Sequence, residues 1–152
     1  MSIPNPCEKI GLVIVDHGST RGESNRLLEE FAALFAATKP YAIVEPAHME
    51  ISEPLIATAF KKCVDRGATK VVVVPYFLAP GKHWHKDIPA LSAAASAICG
   101  GVPFLVSAPI GLHPLMADLI EDRVKHCLKQ ADGQADECEY CAGTGRCRFK
   151  AG

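Results

Sequence analysis

At 152 residues, 49% of them hydrophobic, the chain has the length of one domain and the apolar content to bury a core. Its 16 Lys and Arg against 17 Asp and Glu leave a net charge of -1, which argues against a disordered polyelectrolyte or a basic nucleic-acid-binding surface. No apolar run approaches the length of a membrane span, so neither nucleic acid nor membrane is expected as a partner.

The opening Met1-Ser2-Ile3-Pro4-Asn5-Pro6 lacks the apolar core of a signal peptide and the arginine-rich character of a transit peptide. The β-branched run Ile10 to Val15 predicts a first strand, followed directly by Asp16-His17-Gly18-Ser19. Glu23 to Ala37, closed by Pro40, predicts a helix. Tyr41 to Met49 predicts a second strand in which Pro46 marks a kink or an edge. Ser52 is the expected N-cap of a helix through Arg66, stopped by Gly67.

Lys70 to Phe77, with four consecutive valines, predicts a strand covered on both faces. A Pro-Gly loop bearing Lys82-His83-Trp84-His85-Lys86 leads into a helix from Ile88 to Ile98, and Val102 to Ser107 predicts the fourth strand. Pro114 opens a last helix whose Leu115, Met116, Leu119, Ile120, Cys127 and Leu128 are expected to form a buried stripe. Alternating strands and helices predict a single doubly wound α/β domain over 1–130, with a mainly parallel four-stranded sheet flanked by helices. An irregular, cysteine-bearing tail occupies 131–152.

Ligands in such folds bind outside the carboxyl ends of the strands. His17 follows the first strand, Glu50 the second, His83 the third, and Gly111 to His113 the fourth. Imidazoles with a carboxylate suit divalent iron, cobalt, nickel or zinc better than magnesium or calcium. Gly18 permits a tight turn, and the amides that open the following helix are candidates to receive an anion. Plainer roles compete at several positions. His85 reads as a solvated loop residue, His113 as a helix-entry residue and His126 as surface, while Glu53 competes with Glu50. Cys63, Cys99 and Cys127 fall in helical patterns and read as core.

Several ordered motifs together carry a family resemblance over roughly the first 128 residues. They are Gly-Leu-Val-Ile-Val-Asp-His-Gly-Ser at 11–19, Ala-His-Met-Glu-Ile-Ser-Glu-Pro at 47–54 and Pro-Tyr-Phe-Leu at 75–78. Pro80-Gly81-Lys82-His83, Asp87-Ile88-Pro89 and Ala108-Pro109-Ile110-Gly111 complete the set. The chain resembles the short form of the sirohydrochlorin chelatases, the class II chelatases that insert a divalent metal into a tetrapyrrole. That resemblance implies a chelatase-like fold and a lyase that inserts ferrous ion into sirohydrochlorin to give siroheme. It puts His17, His83 and Glu50 in the catalytic and substrate-metal roles. Gly18, Ser19 and Lys82 become candidates to meet the substrate's carboxylates, with Arg21 and Lys86 nearby. The family needs no nucleotide, consistent with the lack of a Walker-type loop. Resemblance to the short members also implies a homodimer.

In the tail, Cys138, Cys141 and Cys147 form a C-x2-C-x5-C cluster that argues for soft-metal ligation in a reducing compartment. Zinc is one occupant, since Cys-x-x-Cys-x-Gly-x-Gly matches one unit of the DnaJ-type zinc domain. A [2Fe-2S] cluster is the other and needs about four thiolates, the fourth coming from Cys127 or another subunit. The tail resembles the extension of plant members of the family, which carry such a cluster. That points to the chloroplast stroma, with a transit peptide outside this numbering, or to the cytoplasm if the chain is not from a plant. Cobalt or nickel insertion, a non-enzymatic metal carrier, and a hydrolase in which His17 activates Ser19 or a metal-bound water are the alternatives.

Overall fold

Apolar β-branched runs separated by amphipathic segments dictate the element order. The computed structural model describes residues 7–145. Its elements are β1 (Ile10–Asp16), α1 (Gly22–Thr38), β2 (Ile43–His48), α2 (Ile56–Asp65), β3 (Lys70–Pro75), α3 (Ile88–Ile98), β4 (Phe104–Val106) and α4 (Pro114–Ala131). A single π turn, His83–Asp87, leads into α3. The chain divides into two compact units, Met1–Gly111 and Leu112–Gly152.

In the first unit the four strands are all parallel, in the order β2-β1-β3-β4. The expected doubly wound sheet is therefore present. Alternation along β1 sends Val13 and Val15 to one face, where they pack with Ile56, Ala59 and Phe60 of α2 and Ile88 and Ala95 of α3. Leu12 and Ile14 go to the other face and pack with Leu28 and Ala32 of α1. Cys63 is a core residue as expected, fully buried, with its thiol donating to the Leu12 carbonyl at 3.6 Å. Burial pushes that thiol up to about 12.

Three expectations can be compared with the elements. The valine run of β3 is covered on both faces but unequally: Val71 and Val73 are enclosed, while Val72 and Val74 are half-buried against the cluster of Leu12, Ile14, Leu28 and Ala32. The helix expected from Ser52 starts at Ile56, because Glu53 takes the capping work: its carboxylate accepts from the Leu55 N–H at 2.7 Å and the Thr58 hydroxyl at 2.9 Å. Pro46, read as a kink or an edge, does lie in an edge strand, since β2 pairs with β1 alone.

The second unit contains α4 and the turns after it. Arg123 pairs with Glu139 at 2.6 Å and lies 5.2 Å from the Tyr140 ring centroid. His126 Nε2 meets the Asp136 carbonyl at 3.1 Å. These contacts bind the tail to α4, and Arg123 holds the Glu139 carboxyl below its ordinary range. No residue of α4 is buried; the expected stripe is open, with Leu115 67% and Ile120 61% exposed. One helix and a few turns hold too little apolar surface to close a core.

Candidate active site

Every strand of a parallel sheet ends at the same edge, and the chain leaves β1, β2 and β3 there in loops carrying His17, Glu50 and His83. The β1 and β2 loops continue to pair beyond the sheet ladder. Met49 N–H donates to the Asp16 carbonyl at 2.8 Å, and Glu50 N–H donates to the His17 carbonyl at 3.2 Å. Close approach of the two backbones requires Gly18, which has φ +90; a Cβ there would lie 2.1 Å from the Glu50 carbonyl oxygen.

The side chains meet as the backbones do. His17 Nε2 lies 2.7 Å from Glu50 Oε1, both side chains being about half exposed. The His17 and His83 rings approach edge-on with centroids 5.3 Å apart. His83 is set by two further contacts: Nδ1 lies 2.8 Å from Asp87 Oδ2, and Phe77 stacks on the ring at 6.3 Å. The carboxylate holds the Nδ1 side of the ring and leaves Nε2 on the opposite side. Beside these residues is an open cleft of about 510 Å³ lined by Met49, Glu50, Lys82, His83 and Asp87. Its volume falls within the roughly 300–1,000 Å³ of small-ligand clefts.

The expected metal trio is thus brought together, and Lys82 lies beside it. Among the described residues, no group of three or more His, Cys, Asp or Glu side chains is placed to hold a metal ion. The amides after His17 are a different matter. Gly18 N–H donates to Asp16 Oδ1, Ser19 N–H to Asn25 Oδ1 and Arg21 N–H to Ser19 Oγ, each at 3.0 Å. These amides are engaged within the turn that precedes α1, which opens at Gly22. His85 packs on Trp84 at 4.6 Å, outside the trio. His113 caps α4, accepting from the Leu115 N–H at 3.2 Å.

Four residues with no assigned role in the sequence reading turn out to shape the site: Asp16, His48, Phe77 and Asp87. His48 is fully buried, with Nδ1 2.6 Å from Asp16 Oδ1. Asp87 had a readable signal, because a carboxylate four residues after a histidine meets it on any helical turn. Asp16 and His48 had none, since 32 residues separate them and only strand register joins them.

In the tail, Cys138 and Cys141 share one tight turn, closed by the Cys141 N–H donating to the Cys138 carbonyl at 3.0 Å. Backbone N–H groups of Tyr140 and Cys141 hold the Cys138 thiol below its ordinary pKa. Two cysteines in one turn, one with its thiol held below the ordinary value, fit the beginning of a thiolate ligand set. Cys147 lies outside the described residues.

A sequence model of the CbiX family matches residues 11–127. The chain belongs to the CbiX family. Among curated relatives of the family, the chloroplastic sirohydrochlorin ferrochelatase of Arabidopsis thaliana is 54% identical over 139 residues, 91% of this chain and 62% of that protein. The chain thus spans less than two thirds of that relative. The sirohydrochlorin cobaltochelatase of Methanosarcina acetivorans is 33% identical over 80% of this chain and 98% of its own. The sirohydrochlorin chelatase SirB from Bacillus subtilis subspecies spizizenii, solved in complex with cobalt, superposes with a TM-score of 0.71 at 29% identity. The match covers 77% of this chain and 50% of SirB.

Proposed function

We propose that this chain is a chelatase that inserts ferrous ion into sirohydrochlorin. The observation that carries the reading is the meeting of His17, Glu50 and His83 at one sheet edge, with 2.7 Å between His17 and Glu50. Insertion requires that a hydrated divalent ion lose water, reach the ring nitrogens, and displace two pyrrole protons. The position between His17 Nε2 and Glu50 Oε1 is one that a proton or a divalent cation can occupy in turn. The free Nε2 of His83 is a base within reach of the same space. Lys82 supplies a cation for the carboxylates around the ring. Gly18 contributes by admitting the Glu50 backbone, and Ser19 retains its hydroxyl proton for a substrate carboxylate.

Iron is favoured by the identity to the plant ferrochelatase. Cobalt is the second reading, favoured by the archaeal cobaltochelatase and the cobalt complex of SirB. The same plant relative supports a plastid location. The chain covers 50% of SirB, so a homodimer would supply a second wall for the macrocycle. The open apolar stripe of α4 is available to such a partner.

Cys138, Cys141 and Cys147 would hold a [2Fe-2S] cluster, with zinc as the rival. A bound cluster supplies one-electron chemistry, and the division of labour leaves insertion to the 1–130 domain.

The test is anaerobic insertion of ferrous, cobaltous and nickel ions into sirohydrochlorin, followed by the visible absorption of the ring. His17→Ala and His83→Ala are each expected to lower turnover by about 100-fold or more. Full turnover in both variants overturns the assignment of the site. No turnover with any of the metals by the folded wild type promotes the metal carrier instead.

A further inference from the structure

Asp16 and His48 stand opposite each other at the last rung of the β1–β2 ladder. His48 is 0% exposed and its Nδ1 lies 2.6 Å from Asp16 Oδ1. That same oxygen accepts the Gly18 N–H at 3.0 Å. One carboxylate oxygen therefore joins the turn that follows His17 to the strand that leads to Glu50. The main chain of His48 makes a second link, its N–H donating to the Pro54 carbonyl at 2.7 Å. This closes the loop 49–53 behind Glu50.

That loop holds a conformation its sequence does not favour. Ile51, next to Glu50, has φ 75, a left-handed value that β-branched residues avoid. It is 58% exposed, so its own burial does not hold it there. Such strain persists only where the surroundings over-determine the backbone. His48 grips both sides of the loop, Asp16 through its ring and Pro54 through its amide.

We propose that the buried His48–Asp16 pair is a positioning device that sets the spacing of His17 and Glu50. His48 Nδ1 meets the carboxylate, and its Nε2 has no partner among the described residues. The described contacts of the His17 side chain go to Glu50, Gly18 and His83, so the pair acts through the backbone rather than by passing a proton. Both are positioning residues; neither touches the ion or the ring.

The kinetic arm of the test rests on the insertion reading, and the exchange arm does not. His48→Phe fills the space without the donor, His48→Asn restores an N–H near Nδ1, and Asp16→Ala removes the acceptor from a partly exposed position. In anaerobic ferrous insertion, His48→Phe and Asp16→Ala are expected to lower kcat at least 10-fold with KM for sirohydrochlorin within twofold. His48→Asn is expected to stay within threefold of wild type. In amide hydrogen exchange on the full chain, Met49 and Glu50 should exchange at least 10-fold faster in His48→Phe and Asp16→Ala, with the β1 and β3 amides unchanged. Wild-type kcat in Asp16→Ala, or an equal fall in His48→Asn and His48→Phe, overturns the proposal. So does unchanged exchange at Met49 and Glu50 in Asp16→Ala, which remains decisive if His48→Phe does not fold. If the wild type inserts no metal while the exchange pattern appears as expected, the insertion reading fails and the positioning role stands.

Discussion

On the β1–β2 side of the site, His17 and Glu50 are held by paired backbones, a glycine with no room for a Cβ, and a buried His–Asp contact. On the β3–α3 side, His83 stands on a single π turn, steadied by one carboxylate and one stacked ring. The first half is fixed through its main chain and the second through side chains. Main-chain insults should therefore cripple the first half together with the fold, whereas side-chain insults should detune the second and leave the fold alone.

The largest expected effect is that of Gly18→Ala. A methyl group 2.1 Å from the Glu50 carbonyl must push the two loops apart, on a residue already at φ +90. Urea unfolding should show a loss of about 3 kcal/mol, and metal insertion should fall to background. A wild-type midpoint would mean the β1–β2 half is more pliable than its geometry says.

Next comes Asp87→Ala. Without the carboxylate, the His83 ring is free to turn and to change tautomer, and insertion should drop by about 10–100-fold. The unfolding midpoint should move by no more than about 0.5 kcal/mol, as for other surface changes. Asp87→Asn keeps an acceptor oxygen and should recover most of the rate. A large stability loss in Asp87→Ala would erase the contrast between the halves.

Cys63 lies in the core behind both halves and should separate stability from chemistry. Desolvation holds its thiol protonated up to about 12, against an ordinary 9.0. The folded chain thus keeps a proton that the unfolded chain loses first. Its contribution is fully present below about pH 9 and is lost as pH rises towards 12, with a slope of at most about 1.4 kcal/mol per pH unit. Cys63→Ala should flatten that alkaline decline in urea titrations, with insertion at neutral pH unchanged. The smallest effect is expected for the joint Cys138→Ser, Cys141→Ser and Cys147→Ser variant, whose kcat should stay within twofold of wild type. A folded variant that cannot insert metal would bring the tail into the reaction.

Much of this site can be read without coordinates, because parallel strands place whatever follows them at a common edge. His17, Glu50 and His83 each follow a strand whose apolar run is plain in the sequence. The remainder depends on what periodicity does not encode. Asp16 and His48 meet only through register. The side-chain partners of the Gly18, Ser19 and Arg21 amides, Asp16, Asn25 and Ser19, are known only from the turn's geometry. The α4 stripe shows the same limit: a pattern says that a face is apolar but not that anything covers it.

The two borders of the sheet bear on how copies of the chain can associate. On one side β2 carries Pro46 in its middle, a residue with no N–H to offer an incoming strand, next to Glu45, whose carboxylate is engaged by Arg66. On the other side β4 is three residues long, too short to template a neighbour. Neither border invites a further strand, so fibre-like stacking is disfavoured at both. Association is left to helical and loop surfaces, an arrangement that keeps the carboxyl edge clear of a strand-to-strand seam.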